Sequence, residues 1–255
     1  LYFIIKGKRK MTLIEGVKII LVETAGERNI GSIARVMRNM GLSQLVLVNP
    51  RCDYLSEDAQ IMAVHGIEVL KKAVIVDSLP MALQGCQRAI ATTARARGIP
   101  TKLETPRQAL GWLMEKNVPS GLIFGPEDRG LSNQELSYAQ RFVCIPANPE
   151  YPSLNLAQGV GVCAYELYQG LNDLNISENY DYKEMANIEE LEGYYQHLES
   201  VLLNVNYLYP HTAAVKMEKL RRIVNRSNLK RNELAMVRGI LRQIQWAIKK
   251  TKNDE

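Results

Sequence analysis

Asn29, Gly31 and Arg35 lie close together in "ERNIGSIARVMRNMGL", Glu127 follows a Gly-Pro pair in "GPEDRGLSNQEL", and Ser153 and Asn155 fall in "IPANPEYPSLNLAQ". Together these side chains offer amide and hydroxyl hydrogen bonds, one fixed cation and one carboxylate. The chemistry they suit is holding and orienting a polar substrate. Metal and disulfide chemistry find little support: Cys52, Cys86, Cys144 and Cys163 form no C-x-x-C pair, and His65, His197 and His211 lack ligand spacing. Taken singly, each residue has an ordinary reading. Asn29 would cap a helix, Arg35 would make a surface ion pair, and Glu127 would be a turn acid. "SNQE", Ser132 to Glu135, reads as a capping box.

Their common position in the fold argues against treating them singly. Short β-branched or leucine-rich runs at 17–23, 45–49, 73–77, 89–93, 121–125 and 142–146 read as buried strands. Helical patterns fall between them, at 30–40, 57–63, 80–84, 105–116, 132–139 and 154–169. Alternating strand and helix predicts an α/β fold, a mostly parallel sheet with helices on both faces. In such sheets ligands bind outside the carboxyl ends of the strands, and all three segments follow strands.

One further match misleads. Gly159-Val-Gly161-Val-Cys-Ala164 fits the dinucleotide fingerprint G-x-G-x-x-A, but it falls inside a helix expected to open at Ser153, not in a strand-to-helix turn. Those glycines are expected to permit close helix packing, at a subunit interface for example.

After Gly170 the polar, acidic stretch 171–187 reads as a linker. Helical segments follow at 188–204, around 211–225 and at 230–250, the first with Ile188, Leu191, Tyr195, Leu198 and Leu202 on one face. The expected organisation is a sheet domain over 11–170, the linker, and a helical extension over 188–255. A natural start is expected at Met11, with residues 1–10 an added extension.

The 255 residues are 46% hydrophobic and 23% charged, with net charge +5, much of it from Lys216 to Arg231. Apolar runs are far shorter than the roughly 20 residues that cross a bilayer, and the first ten residues place their basic residues after the apolar ones, the reverse of a signal peptide. The chain reads as soluble and cytoplasmic.

In their order, "NIGSIAR" (29–35), "GPEDRGL" (125–131) and "IPANPEYPSLNLAQ" (145–158) resemble the three motifs of the SpoU (TrmH-like) branch of the SPOUT RNA methyltransferases. Within that branch the likeness is closer to bacterial enzymes that methylate the ribose of cytidine or uridine at position 32 of tRNA. "TTARAR", "YYQHLESVLL", "KMEKLRRI" and "RGIL" extend it over nearly the whole chain from about Met11. One departure is "GVG" at 159–161, where relatives carry bulkier residues.

The resemblance implies a C-terminal trefoil knot in the sheet domain, S-adenosylmethionine as methyl donor, tRNA as partner, and a homodimer whose active site is completed near the partner subunit. It implies neither metal nor membrane. Carried onto this sequence, it assigns catalysis to Arg35, Asn29, Glu127, Ser153 and Asn155. It assigns the cofactor to Thr92, Thr93, Ala94, Gly125, Ile145, Pro152, Ser153 and Leu154, and RNA contact to Arg28, Arg95, Arg97, Lys216, Lys219, Arg221 and Arg222.

An arginine side chain is a poor base near neutral pH, so Arg35 is expected to hold a phosphate and steady the developing alkoxide while the proton leaves to phosphate or water. Gly125 is expected to let backbone approach the cofactor. Glu127 either stabilises the sulfonium or orders the loops. Ribosomal RNA or another tRNA position is the alternative target, and a noncatalytic RNA-binding knot protein the more distant one.

Overall fold

A computed structural model describes residues 14–94, 103–115, 118–173 and 185–253. The chain divides into two compact units between residues 180 and 181.

The first unit is built on seven strands: β1 (Val17–Val22), β2 (Gln44–Val48), β3 (Val74–Val76), β4 (Arg88–Thr92), β5 (Leu103–Glu104), β6 (Ser120–Phe124) and β7 (Arg141–Val143). They lie in the order β3-β2-β1-β6-β4-β7-β5, and every neighbouring pair is parallel. The central strands are buried on both faces, as Ile19, Leu47 and Leu122 on one face and Ile20, Ala91 and Ile123 on the other show, which is why they read as continuous apolar runs. The strand expected at 17–23 stops at Val22 because Glu23 turns into the left-handed region (φ 47°), and Asn49 does the same after β2 (φ 46°). Two-residue β5 is a strand the sequence did not announce.

The helices are α1 (Glu27–Asn39), α2 (Glu57–Ala63), α3 (Ile67–Lys71), α4 (Leu79–Ala82), α5 (Pro106–Ala109), α6 (Gly111–Met114), α7 (Asn133–Leu136) and α8 (Leu156–Asp173), with a 3-10 turn at Val64–Gly66. The helix expected over 105–116 is thus two short turns, and α3 was not anticipated. Helix α1 buries Ile30, Ile33, Ala34 and Met37. Gly31 has a packing purpose: a Cβ there would strike the Ala59 carbonyl oxygen of α2, and one at Gly66 would meet the Ala34 carbonyl oxygen at 2.6 Å. Small residues on both sides let the two backbones touch.

The second unit is a helical group of α9 (Ile188–Asn204), α10 (Pro210–Ser227) and α11 (Arg231–Asn253). Its core includes the expected Leu191, Tyr195 and Leu198, joined by Val201, Met217, Leu234 and Leu241. Asn187 caps α9, accepting from Glu190 N–H at 2.7 Å while the Glu190 carboxylate accepts from Asn187 N–H at 2.9 Å. Residues 1–10 and most of the expected linker lie outside the described residues, while α8 runs on to Asp173. Among the described residues no helix is long and apolar enough to cross a membrane.

Candidate active site

Three segments meet at the carboxyl end of the sheet, and Glu127 joins the first two. Its Oε1 accepts from Asn29 Nδ2 at 2.8 Å and from Gly26 N–H at 3.3 Å, and its Oε2 accepts from Ala25 N–H at 3.2 Å. Asn29 Oδ1 accepts from Asn155 Nδ2 at 2.9 Å, and Asn155 Oδ1 accepts from Ala157 N–H at 2.9 Å at the start of α8. A carboxylate only accepts, so Glu127 fixes which end of the Asn29 amide faces it, and Asn29 then orients Asn155. The carboxylate also faces the positive N-terminal end of α1.

This geometry corrects two expectations. Asn29, expected as a helix cap, lies inside α1, whose cap is Gly26; the loop proper is shorter. Ser153 precedes α8, which opens at Leu156 behind Asn155. Gly125, which lines the cavity described below, also serves the loop itself, since a Cβ there would strike the Leu131 nitrogen and the Gly130 carbonyl carbon. The capping box at Ser132 and Glu135 is present as expected.

The neighbours of Glu127 are anchored as well. Asp128 pairs with both terminal nitrogens of Arg51, at 3.1–3.2 Å, while Arg51 Nε donates to the Glu23 carbonyl at 2.8 Å. Arg129 bridges Glu135 at 2.8 Å and Glu23 at 3.1 Å. Burial works against the charge on Glu135, but its bonds from Arg129 and Ser132 hold the carboxyl below its ordinary value. Sequence reading passed over Arg51; its signal was its place just past β2, at the same end of the sheet.

Beside this network lies a cavity of about 730 Å³. All eight residues expected to bind cofactor line it: Thr92, Thr93, Ala94, Gly125, Ile145, Pro152, Ser153 and Leu154. Glu127 and Asn155 line it too. Its lining mixes apolar residues such as Phe124 and Val143 with the loop residues Gly125 to Leu131, which suits a ligand with a planar base and polar groups. Thr92 Oγ1 donates to the Ile123 carbonyl at 3.0 Å. Burial in the sheet unit pushes the Cys52 thiol up to about 11 and the Cys163 thiol up to about 12, so neither is a ready nucleophile.

Arg35 is exposed on α1, about 9 Å along the helix and about 120° around it from Asn29. It is not among the cavity-lining residues. Arg95 and Arg97 lie outside the described residues. Arg28 is held by Asp58 at 3.1 Å.

In the second unit the basic helix α10 largely serves its own fold. Arg221 pairs with Glu192 at 2.5 Å and lies 4.4 Å over the Tyr195 ring, Arg222 pairs with Glu218 at 3.4 Å, and Lys216 donates to the Tyr207 carbonyl at 3.1 Å. Arg221 is thus a structural cation, its side chain only 15% exposed. Lys219 alone of the four is exposed and makes no hydrogen bond or ion pair among the described residues. No group of three metal-ligating side chains occurs among the described residues.

Residues 16–165 match the SpoU rRNA Methylase family and residues 189–255 match the tRNA methyltransferase TrmJ, C-terminal domain. The tRNA (cytidine/uridine-2′-O-)-methyltransferase TrmJ of Pectobacterium atrosepticum is 38% identical over 91% of this chain and 98% of its own length. The tRNA (cytidine/uridine/adenosine-2′-O-)-methyltransferase TrmJ of Pseudomonas aeruginosa is 38% identical over 91% of this chain and 95% of its own. Among solved structures, TrmJ from Z. mobilis superposes with a TM-score of 0.79 at 33% identity, covering 89% of this chain and 98% of that one. With both its sheet unit and its helical unit matched, the chain belongs to the TrmJ group of the SpoU methylase family.

Proposed function

We propose that the protein transfers the methyl group of S-adenosylmethionine to the ribose 2′-hydroxyl of cytidine or uridine at position 32 in the tRNA anticodon loop. The observation that carries this reading is the single cavity on which all eight expected cofactor residues converge, bordered by the Glu127, Asn29 and Asn155 network. Bound there, S-adenosylmethionine supplies an activated methyl group. Main-chain groups of Thr92 to Ala94, Gly125, Ile145 and Pro152 to Leu154 hold its adenine and ribose. Glu127 orders the loops, since both of its oxygens are engaged by the first segment. Positioning then carries most of the rate enhancement.

Arg35 contributes charge and a forked geometry that grips a substrate phosphate and steadies the alkoxide. Because it does not line the cavity of its own chain, the reading includes a homodimer in which a second copy brings its Arg35 to this cavity. An exposed stripe on α8 supports such a contact: Val162, Tyr165 and Tyr168 are 38%, 49% and 45% exposed, and a Cβ at Gly161 would meet nothing within 4 Å. The reading also includes the trefoil knot. Strand β6 lies between β1 and β4, and β7 between β4 and β5, so the last two strands insert between earlier ones. On this reading no metal takes part.

A second target has one observation in its favour. A structure described as giving insight into 2-OH methylation of C/U34 on tRNA is 26% identical, with a TM-score of 0.51, over 62% of this chain. The resemblance of the chain to position-32 enzymes, together with the match of 189–255 to the TrmJ C-terminal domain, supports position 32. Mass spectrometry of mapped fragments from unmodified tRNA, incubated with protein and S-adenosylmethionine, tests this directly. A 2′-O-methyl mark at position 32 supports the reading; a mark at 34, or on ribosomal RNA alone, replaces it.

A further inference from the structure

Three consecutive residues after β6 each hold a different part of the site. Glu127 engages Ala25, Gly26 and Asn29, Asp128 engages Arg51, and Arg129 engages Glu23 and Glu135. Arg51 touches both sides of this junction. Its terminal nitrogens grip Asp128, and its Nε holds the Glu23 carbonyl, where the chain leaves β1 with Glu23 in the left-handed region, φ 47°. The Thr24 carbonyl also accepts from Arg51 N–H at 2.9 Å. The contacts of Glu127 are thereby flanked by two segments that one guanidinium keeps together.

We propose that Arg51 is a positioning residue for methyl transfer, a brace that sets the distance between the segment 23–26 and the segment 125–131. It acts through Asp128 and Glu23 on Glu127, and so on Asn29 and Asn155. A guanidinium suits this task because its fork serves Asp128 while a third donor reaches the carbonyl. Lysine, a point charge, cannot do both. The Arg51–Asp128 pair is half exposed, with side chains 41% and 60% accessible, so the pair itself adds little stability; its effect falls on the cavity, which Asp128 and Arg129 line.

The inference rests on the cavity being the S-adenosylmethionine site, and its test separates the two ideas. Arg51→Gln, Asp128→Asn and the double variant are compared with the parent by calorimetric S-adenosylmethionine binding, by tRNA binding, and by hydrogen exchange of the Ala25 and Gly26 amides without ligand. The brace predicts that each single change weakens cofactor binding about three- to tenfold and speeds exchange at both amides. It predicts that the double variant is no worse than the worse single one, that Arg51→Lys recovers only part of the loss, and that tRNA affinity is unchanged. Additive losses, unchanged cofactor affinity, or tRNA binding weakened by Arg51→Gln but not by Asp128→Asn would overturn it, the last making Arg51 a phosphate contact. Should the parent fail to bind S-adenosylmethionine, the functional reading falls, and the exchange rates in the ligand-free variants still decide the brace.

Discussion

In the sheet unit, Glu127, Asn29 and Asn155 link three segments by hydrogen bonds, and Glu127 and Asn155 line the cavity beside them. In the helical unit, Arg221, Arg222 and Lys216 turn to Glu192, Glu218 and the Tyr207 carbonyl. Both sets stood out in the sequence as candidates for function, yet only the first converges on a site. Residues at the ends of parallel strands are delivered to one edge by the architecture itself. Charges on an amphipathic helix carry no such constraint, and a carboxylate on the next helix can claim them.

Changes on each side of this contrast should separate chemistry from scaffolding. The largest effect is expected from Arg35→Ala: kcat should fall by about 10²–10³-fold while S-adenosylmethionine affinity stays the same. Arg35→Lys should recover little of it, and if it kept most of the turnover, the forked geometry would be unimportant. Mixing Arg35→Ala with an inactive variant of a cavity residue should restore activity in heterodimers if a second copy supplies Arg35.

Gly31→Ala should destabilise the sheet unit by about 1–3 kcal/mol through overpacking against α2, read as a lower Tm. An unchanged Tm would mean that α1 and α2 do not touch as described. Arg221→Ala should cost the helical unit about 1–3 kcal/mol by leaving Glu192 without its partner. Well below the Tm, its tRNA affinity should match the parent, because this cation is already spent.

Acid sharpens the contrast further. The carboxyl of Glu135 is held below its ordinary value of 4.5 in the fold. Its stabilisation is therefore present above that unfolded-state value and is lost as pH falls through the lower folded value. Melting temperatures between roughly pH 6 and pH 3 should drop more steeply for the parent than for Glu135→Gln; equal slopes would show that Arg129 contributes nothing through this group. The smallest effect belongs to Lys219→Ala, expected to leave stability intact, weaken tRNA binding a few-fold and reduce its salt dependence by about one unit of slope.

Much of the sheet was legible because buried strands write themselves as apolar runs, whereas the residues given to the cofactor came from the family resemblance, and the structure gathers them around one cavity. What escaped depended on partners distant in sequence. Glu127 reads as a turn acid until Gly26 and Asn29 are placed beside it, and Arg51 gives no hint of Asp128. The split of 105–116 into two turns and the short β5 were set by tertiary packing that periodicity does not report. Asn29 read as the helix cap because Gly26, a weak cap signal, is what opens α1. On α10, Arg221 looked like an RNA contact because Glu192 lies on another helix.

The central claim is that the cavity carries a methyl donor to a tRNA ribose oxygen. Its most direct test is single-turnover transfer of labelled methyl from S-adenosylmethionine to two tRNAs that differ only in a 2′-hydroxyl or a 2′-hydrogen at position 32. The account predicts label on the first, recovered as 2′-O-methyl nucleoside, and none on the second. Equal labelling of both, or label recovered on a base, would contradict it.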